Sequence, residues 1–214
     1  MLRTLSVVAA LQMLALSSAW ACSGQVGAVI FQDSFTDDSG GWDQSPPQAV
    51  IKPPAFVFTL DTQYSGMAAQ NLTFNATDGD YCMDVLLPPP TAPDNQFYAG
   101  IEFWAPSYDD ATMAELSSQG TVFVSKKVAG KWSTVSTVNN APGFQPKAVN
   151  SLRVTALAGV ITVYLNGTQV KVIRAQEPTS SSLRFGMLVE MDKQVASGNA
   201  SPVQIKNYSV TAGK

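Results

Sequence analysis

Short stretches of alternating apolar and polar residues recur along this chain from Ala28 to its end. They are rich in Val, Ile, Thr, Tyr and Phe and are bounded by Gly, Pro, Asn and Asp, which is the pattern of half-buried β-strands between turns. The alternation predicts twelve strands, at 29–32, 56–60, 67–74, 81–86, 96–104, 121–126, 132–138, 151–157, 160–165, 169–174, 183–191 and 203–211. The dipeptide Asn166-Gly167 between two of them is a strong hairpin signal, because a type I′ turn needs positive φ at both central residues. No sustained 3.6-residue period competes. The nearest is 109–118, which reads as a turn or two of helix inside a loop. Segments 37–52, 88–94 and 194–202 read as loops from their Gly, Pro and small polar content. Regular short strands with such punctuation predict an all-β antiparallel sandwich or barrel.

Period two also assigns faces. In 96–104, Phe97, Ala99, Ile101 and Phe103 share one side and belong in the core. Gln96, Tyr98, Gly100, Glu102 and Trp104 share the other. In 183–191, Leu183, Phe185, Met187, Val189 and Met191 form the apolar side, and Arg184, Glu190 and then Asp192 point the opposite way. Each strand has one core face and one polar face, as expected of a sheet that is wet on one side.

The N-terminus changes the picture of where the protein works. Arg3, an apolar run from Leu5 to Leu16 and the small-flanked Ala19-Trp20-Ala21 read as an export signal over residues 1–21, leaving 22–214 as one sandwich domain. The apolar run is shorter than the roughly 20 residues of a membrane span, and no later run reaches that length. The expected localisation is secreted or periplasmic. Cys22 and Cys82 are the two cysteines; in an exported protein they pair, the alternatives being separate thiols or a lipidated Cys22.

Charge and composition then narrow the chemistry. The chain has 13 Lys and Arg against 16 Asp and Glu, a net −3. No basic cluster exceeds Lys126-Lys127, so nucleic acid and anionic membrane are poor partners. There is no histidine. That excludes Ser-His and Cys-His nucleophile pairs and His-ligated metal sites. There is no Gly-rich phosphate loop and no G-x-S-x-G elbow.

What remains is the pairing of rings with carboxyl and amide groups. A sugar site offers a flat π-face and directional polar groups. Tyr98 and Trp104 flanking Glu102 fit that description, with Tyr108 and Trp132 as further ligand-binding candidates. A glycosidase needs two carboxyl groups across the scissile bond, for which Glu102, Glu190 and Asp192 are the candidates. Calcium is the cofactor an oxygen-rich loop would take, and Asp33, Asp37 and Asp38 are its candidate ligands; turn-capping is the competing role.

Four segments together resemble the concanavalin A-like lectin/glucanase superfamily, a jelly-roll sandwich of two antiparallel sheets. These are Phe31-Gln32-Asp33-Ser34-Phe35 leading to Gly40-Gly41-Trp42, and Tyr98-Ala99-Gly100-Ile101-Glu102-Phe103. The others are Asn150-Ser151-Leu152-Arg153-Val154 leading to Val163-Tyr164-Leu165-Asn166-Gly167, and Gly186-Met187-Leu188-Val189 followed by 203–210. Within it the pattern is most similar to laminin G-like and 3-keto-disaccharide hydrolase-type domains. The resemblance implies a fold often used for glycan recognition, with a glycan or cell-surface polysaccharide as partner. Its glucanases carry three alternating carboxylates on one strand, and Glu190-Met191-Asp192 supplies only part of that pattern. The expectation is therefore a non-catalytic carbohydrate-binding or surface-recognition module. The alternatives are a glycoside hydrolase or lyase, and an adhesive protein-binding module.

Overall fold

The computed structural model describes residues 22–61, 65–90, 96–180, 182–192 and 201–213. The expected export segment, residues 1–21, lies outside the described residues, as does most of 194–202. No described residue is helical, and no described helix could cross a membrane.

Among the described residues fourteen strands form: β1 Val29–Asp33, β2 Ala49–Lys52, β3 Ala55–Leu60, β4 Gly66–Gln70, β5 Gly79–Leu86, β6 Phe97–Ser107 and β7 Asp110–Ser117, followed by β8 Val122–Val128, β9 Lys131–Val138, β10 Asn150–Leu157, β11 Val160–Leu165, β12 Thr168–Arg174, β13 Arg184–Met191 and β14 Ser201–Thr211. They make two antiparallel sheets. The first runs β12-β11-β10-β5-β14-β3-β2, with β1 also paired to β14; the second runs β4-β13-β6-β7-β8-β9. This is the two-sheet antiparallel jelly-roll sandwich that the resemblance implies, and not a barrel.

The core lies between the sheets. β10 alternates buried and half-buried along its whole length, the signature of a strand with one dry face. Phe97, Ala99, Ile101 and Phe103 of β6 face Leu152, Val154 and Tyr208 of the other sheet within one apolar cluster. Leu183, Phe185, Met187, Val189 and Met191 join it. Phe185 stacks on Tyr208 at 5.7 Å, and the Tyr208 hydroxyl donates to the Gly186 carbonyl at 3.0 Å.

The Asn166-Gly167 turn has φ of 50° and 79°. Its Asn side chain accepts from Ser151 N and donates to the Gly143 carbonyl, both at 2.8 Å, so the turn also ties down the neighbouring loop. Ala158-Gly159 and Ala129-Gly130 adopt the same paired positive φ between β10 and β11 and between β8 and β9.

Three sequence expectations are corrected. Segment 109–118 is not a helical turn but β7, in the middle of the six-stranded sheet. Ala, Met, Glu and Leu favour helix intrinsically, but β6 and β8 supply ladder partners on both sides and that tertiary setting overrides propensity. Segment 37–52 contains the short strand β2 at its end. The predicted strand 67–74 stops at Gln70.

Cys22 and Cys82 form a disulfide across 60 residues, pinning the start of the described chain to β5. Cys22→Ser is expected to lower stability by about 2–4 kcal/mol, because the cross-link no longer restricts the unfolded chain. The urea midpoint of the variant against the oxidised protein measures it. An unchanged midpoint would mean that the N-terminal segment contributes nothing to folding.

Candidate functional site

The six-stranded sheet turns one face to the core and one outward, and β-sheet register fixes what the outer face displays. One cross-strand row runs Gln70, Gly186, Glu102, Met113, Ser125, Thr134. The next runs Ala68, Leu188, Gly100, Glu115, Phe123. A third carries Gly66, Glu190, Tyr98 and Ser117. Carboxyl groups from β6, β7 and β13 thus converge on the centre of the face.

Glycine makes room for them. A Cβ at Gly100 would lie 2.6 Å from Glu115 Cγ, and one at Gly186 would lie 3.0 Å from Glu102 Oε2 and 2.8 Å from a backbone carbonyl. Either methyl group would displace a glutamate or the strand itself.

Tyr98, Met113, Glu115, Phe123, Ser125, Trp132, Thr134, Glu190 and Asp192 line an open depression of about 260 Å³. Tyr98 and Phe123 meet edge to face at 5.8 Å. The Tyr98 hydroxyl donates to Asp192 Oδ2 at 2.5 Å, fixing both at the rim. Trp132 lies at the exposed β9 edge with Lys127 Nζ 5.3 Å from its ring centre. Lys127 Nζ also donates to the Tyr108 carbonyl at 2.7 Å.

The electrostatics of this face are unbalanced. Glu102 is 1 % exposed, and its acid is pushed up to about 7, chiefly by burial, with a contribution from the Glu190 charge. Gln70 Nε2, donating at 3.4 Å, and the Lys127 charge pull the other way. Glu115 is 6 % exposed and is pushed up to about 8 by burial and then by the Glu190 and Glu102 charges. Burial and the Asp192 charge raise Glu190 against the pull of Lys127. Burial also raises Tyr98, which Asp192 holds as a hydrogen-bond donor. At neutral pH Glu115 therefore keeps its proton, yet its Oε1 is buried and has no hydrogen-bond partner.

Sequence-predicted residues fall into three groups. Tyr98, Trp132, Glu190 and Asp192 meet at the depression, and Glu102 lies outside its lining but in the same cross-strand row as the lining residues Met113, Ser125 and Thr134. Tyr108 sits in the β6–β7 turn, where its hydroxyl donates to Asp43. It is near enough to Glu102 to feel that group's charge.

Trp104 is the correction. It does not share the Tyr98 and Glu102 face but is 1 % exposed in the core cluster, in ring contact with Phe103 at 5.6 Å. The β6–β7 register shifts between Phe103 and Ser107, and Trp104 takes φ of 51°, so the bulge breaks the alternation there. Its indole N–H donates to the Thr77 carbonyl at 2.6 Å.

Glu115 and Phe123 are missing from the sequence-predicted set. Period two in 109–118 would have put Glu115 beside Met113 and Ser117, and period two in 121–126 sets Phe123 opposite Val122 and Val124.

Other features have structural roles. Asp33 accepts from Phe35 N at 2.6 Å and Trp42 Nε1 at 2.9 Å, using both oxygens to fold the aromatic opening segment. Asp37 caps the turn at Ser39, which holds its carboxyl low. Among the described residues, Asp33, Asp37 and Asp38 gather into no group able to hold a metal ion. A larger hollow of about 370 Å³ lies between β7, β8 and segment 176–180. Its one ring is the core residue Trp104, so it lacks the stacking faces of the other depression.

No protein-family model matches the chain, and no curated protein matches it. Solved structures do. The chain is similar to a β-glucanase of Bacillus licheniformis (TM-score 0.63, 10% identity, covering 87% of this chain and 99% of that one). It is also similar to the carbohydrate-binding module CBM66 of Bacillus subtilis (0.56, 12%, 87% and 99%) and to the Crh5 transglycosylase (0.62, 12%, 90% of each). Two antiparallel sheets in this order, matched over nearly the full length of these proteins, give the chain the concanavalin A-like jelly-roll fold.

Proposed function

We propose that this chain is an exported carbohydrate-binding module, one sandwich over residues 22–214, with its ligand on the outer face of the six-stranded sheet. The observation that carries the proposal is the depression in which Tyr98, Phe123 and Trp132 stand around Glu115, Glu190 and Asp192. Rings offer pyranose faces a stacking surface, and carboxyl groups take hydroxyl hydrogens. A carbohydrate-binding module and glucanases among the structures of this fold support the reading, as does a disulfide for a protein working outside the cytoplasm.

A glycan array followed by calorimetry tests it. Trp132→Ala is expected to weaken binding about ten-fold, as loss of an aromatic anchor does, without lowering stability, because Trp132 is 36 % exposed. Failure to bind any carbohydrate would sink the proposal.

A glycoside hydrolase is the second reading. It is favoured by an acid poised at about 7, Glu102, on the same face as Glu190, since a glycosidase sets a protonated carboxyl against an ionised one. Binding is preferred because Glu102 is almost wholly covered and Asp192 is held by Tyr98. Turnover of a glycan that disappears in Glu190→Gln would reverse that preference.

A further inference from the structure

The two sheets treat their buried acids differently. On the eight-stranded sheet Asp80 is fully buried and receives a bidentate Arg153, at 2.8 Å to Oδ1 and 2.7 Å to Oδ2. Asp84 accepts from the Ser151 hydroxyl and, at 2.8 Å, from Asn207 Nδ2. On the six-stranded sheet Glu102, Glu115, Glu190 and Asp192 come together, and Lys127 is the cation whose charge reaches Glu102 and Glu190. Lys127 is already engaged by the Tyr108 carbonyl and the Trp132 ring. Glu115 Oε1, buried at the wall of the depression, has no donor. A buried oxygen without a partner is costly and calls for one from outside.

We infer that the depression selects glycans that carry free, protonated amino groups, and that the amine docks at Glu115 between Tyr98, Phe123 and Trp132. This rests on the carbohydrate-binding reading of the same site. A sugar hydroxyl could give Glu115 Oε1 a hydrogen but would leave the surplus of acids as it is. An ammonium group supplies up to three donors and a positive charge together. It also gains from aromatic rings around it, whose π-faces attract cations. The acids, raised chiefly by burial and then by neighbouring carboxylates, lose protons as the ammonium arrives, so binding releases protons. Uronate or sulfate groups would meet these acids with Lys127 as the cation beside them, already engaged by the Tyr108 carbonyl and the Trp132 ring.

The test is calorimetry of the full chain with three hexasaccharides of one linkage: the glucosamine hexamer, its fully N-acetylated counterpart and the neutral glucose hexamer, at about pH 6 where the amine is charged. The glucosamine hexamer should bind about ten-fold tighter than either of the others. Raising salt from about 50 mM to about 500 mM should erode that advantage, as screening of a charge contact requires. Glu115→Gln, which keeps the shape of the side chain, should remove most of the preference, and Trp132→Ala should weaken all binding. Equal or tighter binding of the N-acetylated or neutral hexamer would overturn the amine selectivity and leave the carbohydrate-binding reading intact. Undiminished amine preference in Glu115→Gln would also overturn it, by placing the cation elsewhere. Absence of binding by all three, together with an empty glycan array, would remove both readings.

Discussion

Between about pH 5 and pH 9 the protein is expected to lose on the order of 5 kcal/mol of folding stability, and a Glu102→Gln/Glu115→Gln double variant is expected to lose far less. The two acids titrate near 4.5 in the unfolded chain but at about 7 and about 8 in the folded one. Below the unfolded value both states hold the protons, and no penalty exists. As pH rises past it, the unfolded chain ionises freely while the folded protein keeps two acids neutral in a buried site. Stability falls until the folded groups ionise, near pH 8, and then levels off. Glu190, raised as well, adds to the same slope. Each unit of separation is worth about 1.4 kcal/mol for an independent group, and the sum is discounted because these groups raise one another. Lys127 and Gln70, which face Glu102, oppose the effect without cancelling it. Urea unfolding at intervals across this range measures the slope. A stability that rises with pH would mean that the cluster is held by cations after all, and would remove the electrostatic basis of the site.

The opposite sheet supplies the second large effect. Arg153→Met is expected to cost about 3–5 kcal/mol, because it leaves a buried carboxylate without its cation. Asp80 is wholly buried between β10 and β14 and accepts from Arg153 Nε and Nη2, one on each oxygen. The guanidinium also lies 4.7 Å from the Tyr164 ring centre. Asp80→Asn in the Arg153→Met background should restore much of the loss, since the expense lies in the stranded charge rather than in the missing attraction. Urea midpoints around this double-mutant cycle measure it. A loss below about 1 kcal/mol would show the pair to be a solvent-screened surface contact. Ligand affinity should be unchanged by Arg153→Met wherever the fold persists, because the pair belongs to the other sheet.

The contrast between these two clusters was only partly legible in the sequence. Alternation placed Phe97, Ala99, Ile101 and Phe103 on one side and Tyr98 and Glu102 on the other because those positions lie in a regular strand, but the second side is not wet as expected: Gly100 and Glu102 are buried there too. It failed at Trp104, where a bulge and a positive φ break the period and turn the indole into the core. Such a conformation in a tryptophan leaves no local signal. The helix-favouring residues of 109–118 hid β7, and with it Glu115, the acid on which the site centres. Only the neighbouring strands make that segment extended. Asn166-Gly167 announced its hairpin through residue chemistry, while Ala158-Gly159 and Ala129-Gly130 make the same turn with one conventional turn residue each. No sequence spacing could have brought Glu115, Glu190 and Tyr98 together, because their meeting depends on β6 lying between β13 and β7.

The central claim is that the outer face of the six-stranded sheet holds the ligand. Backbone hydrogen–deuterium exchange, with and without the tightest-binding oligosaccharide of the array and the hexamer panel, tests it most directly. The account predicts added protection in β8, in β9 around Trp132 and Thr134, and at the end of β13 near Glu190. Protection confined to β11 and β12 on the opposite sheet, with these strands unchanged, would contradict it.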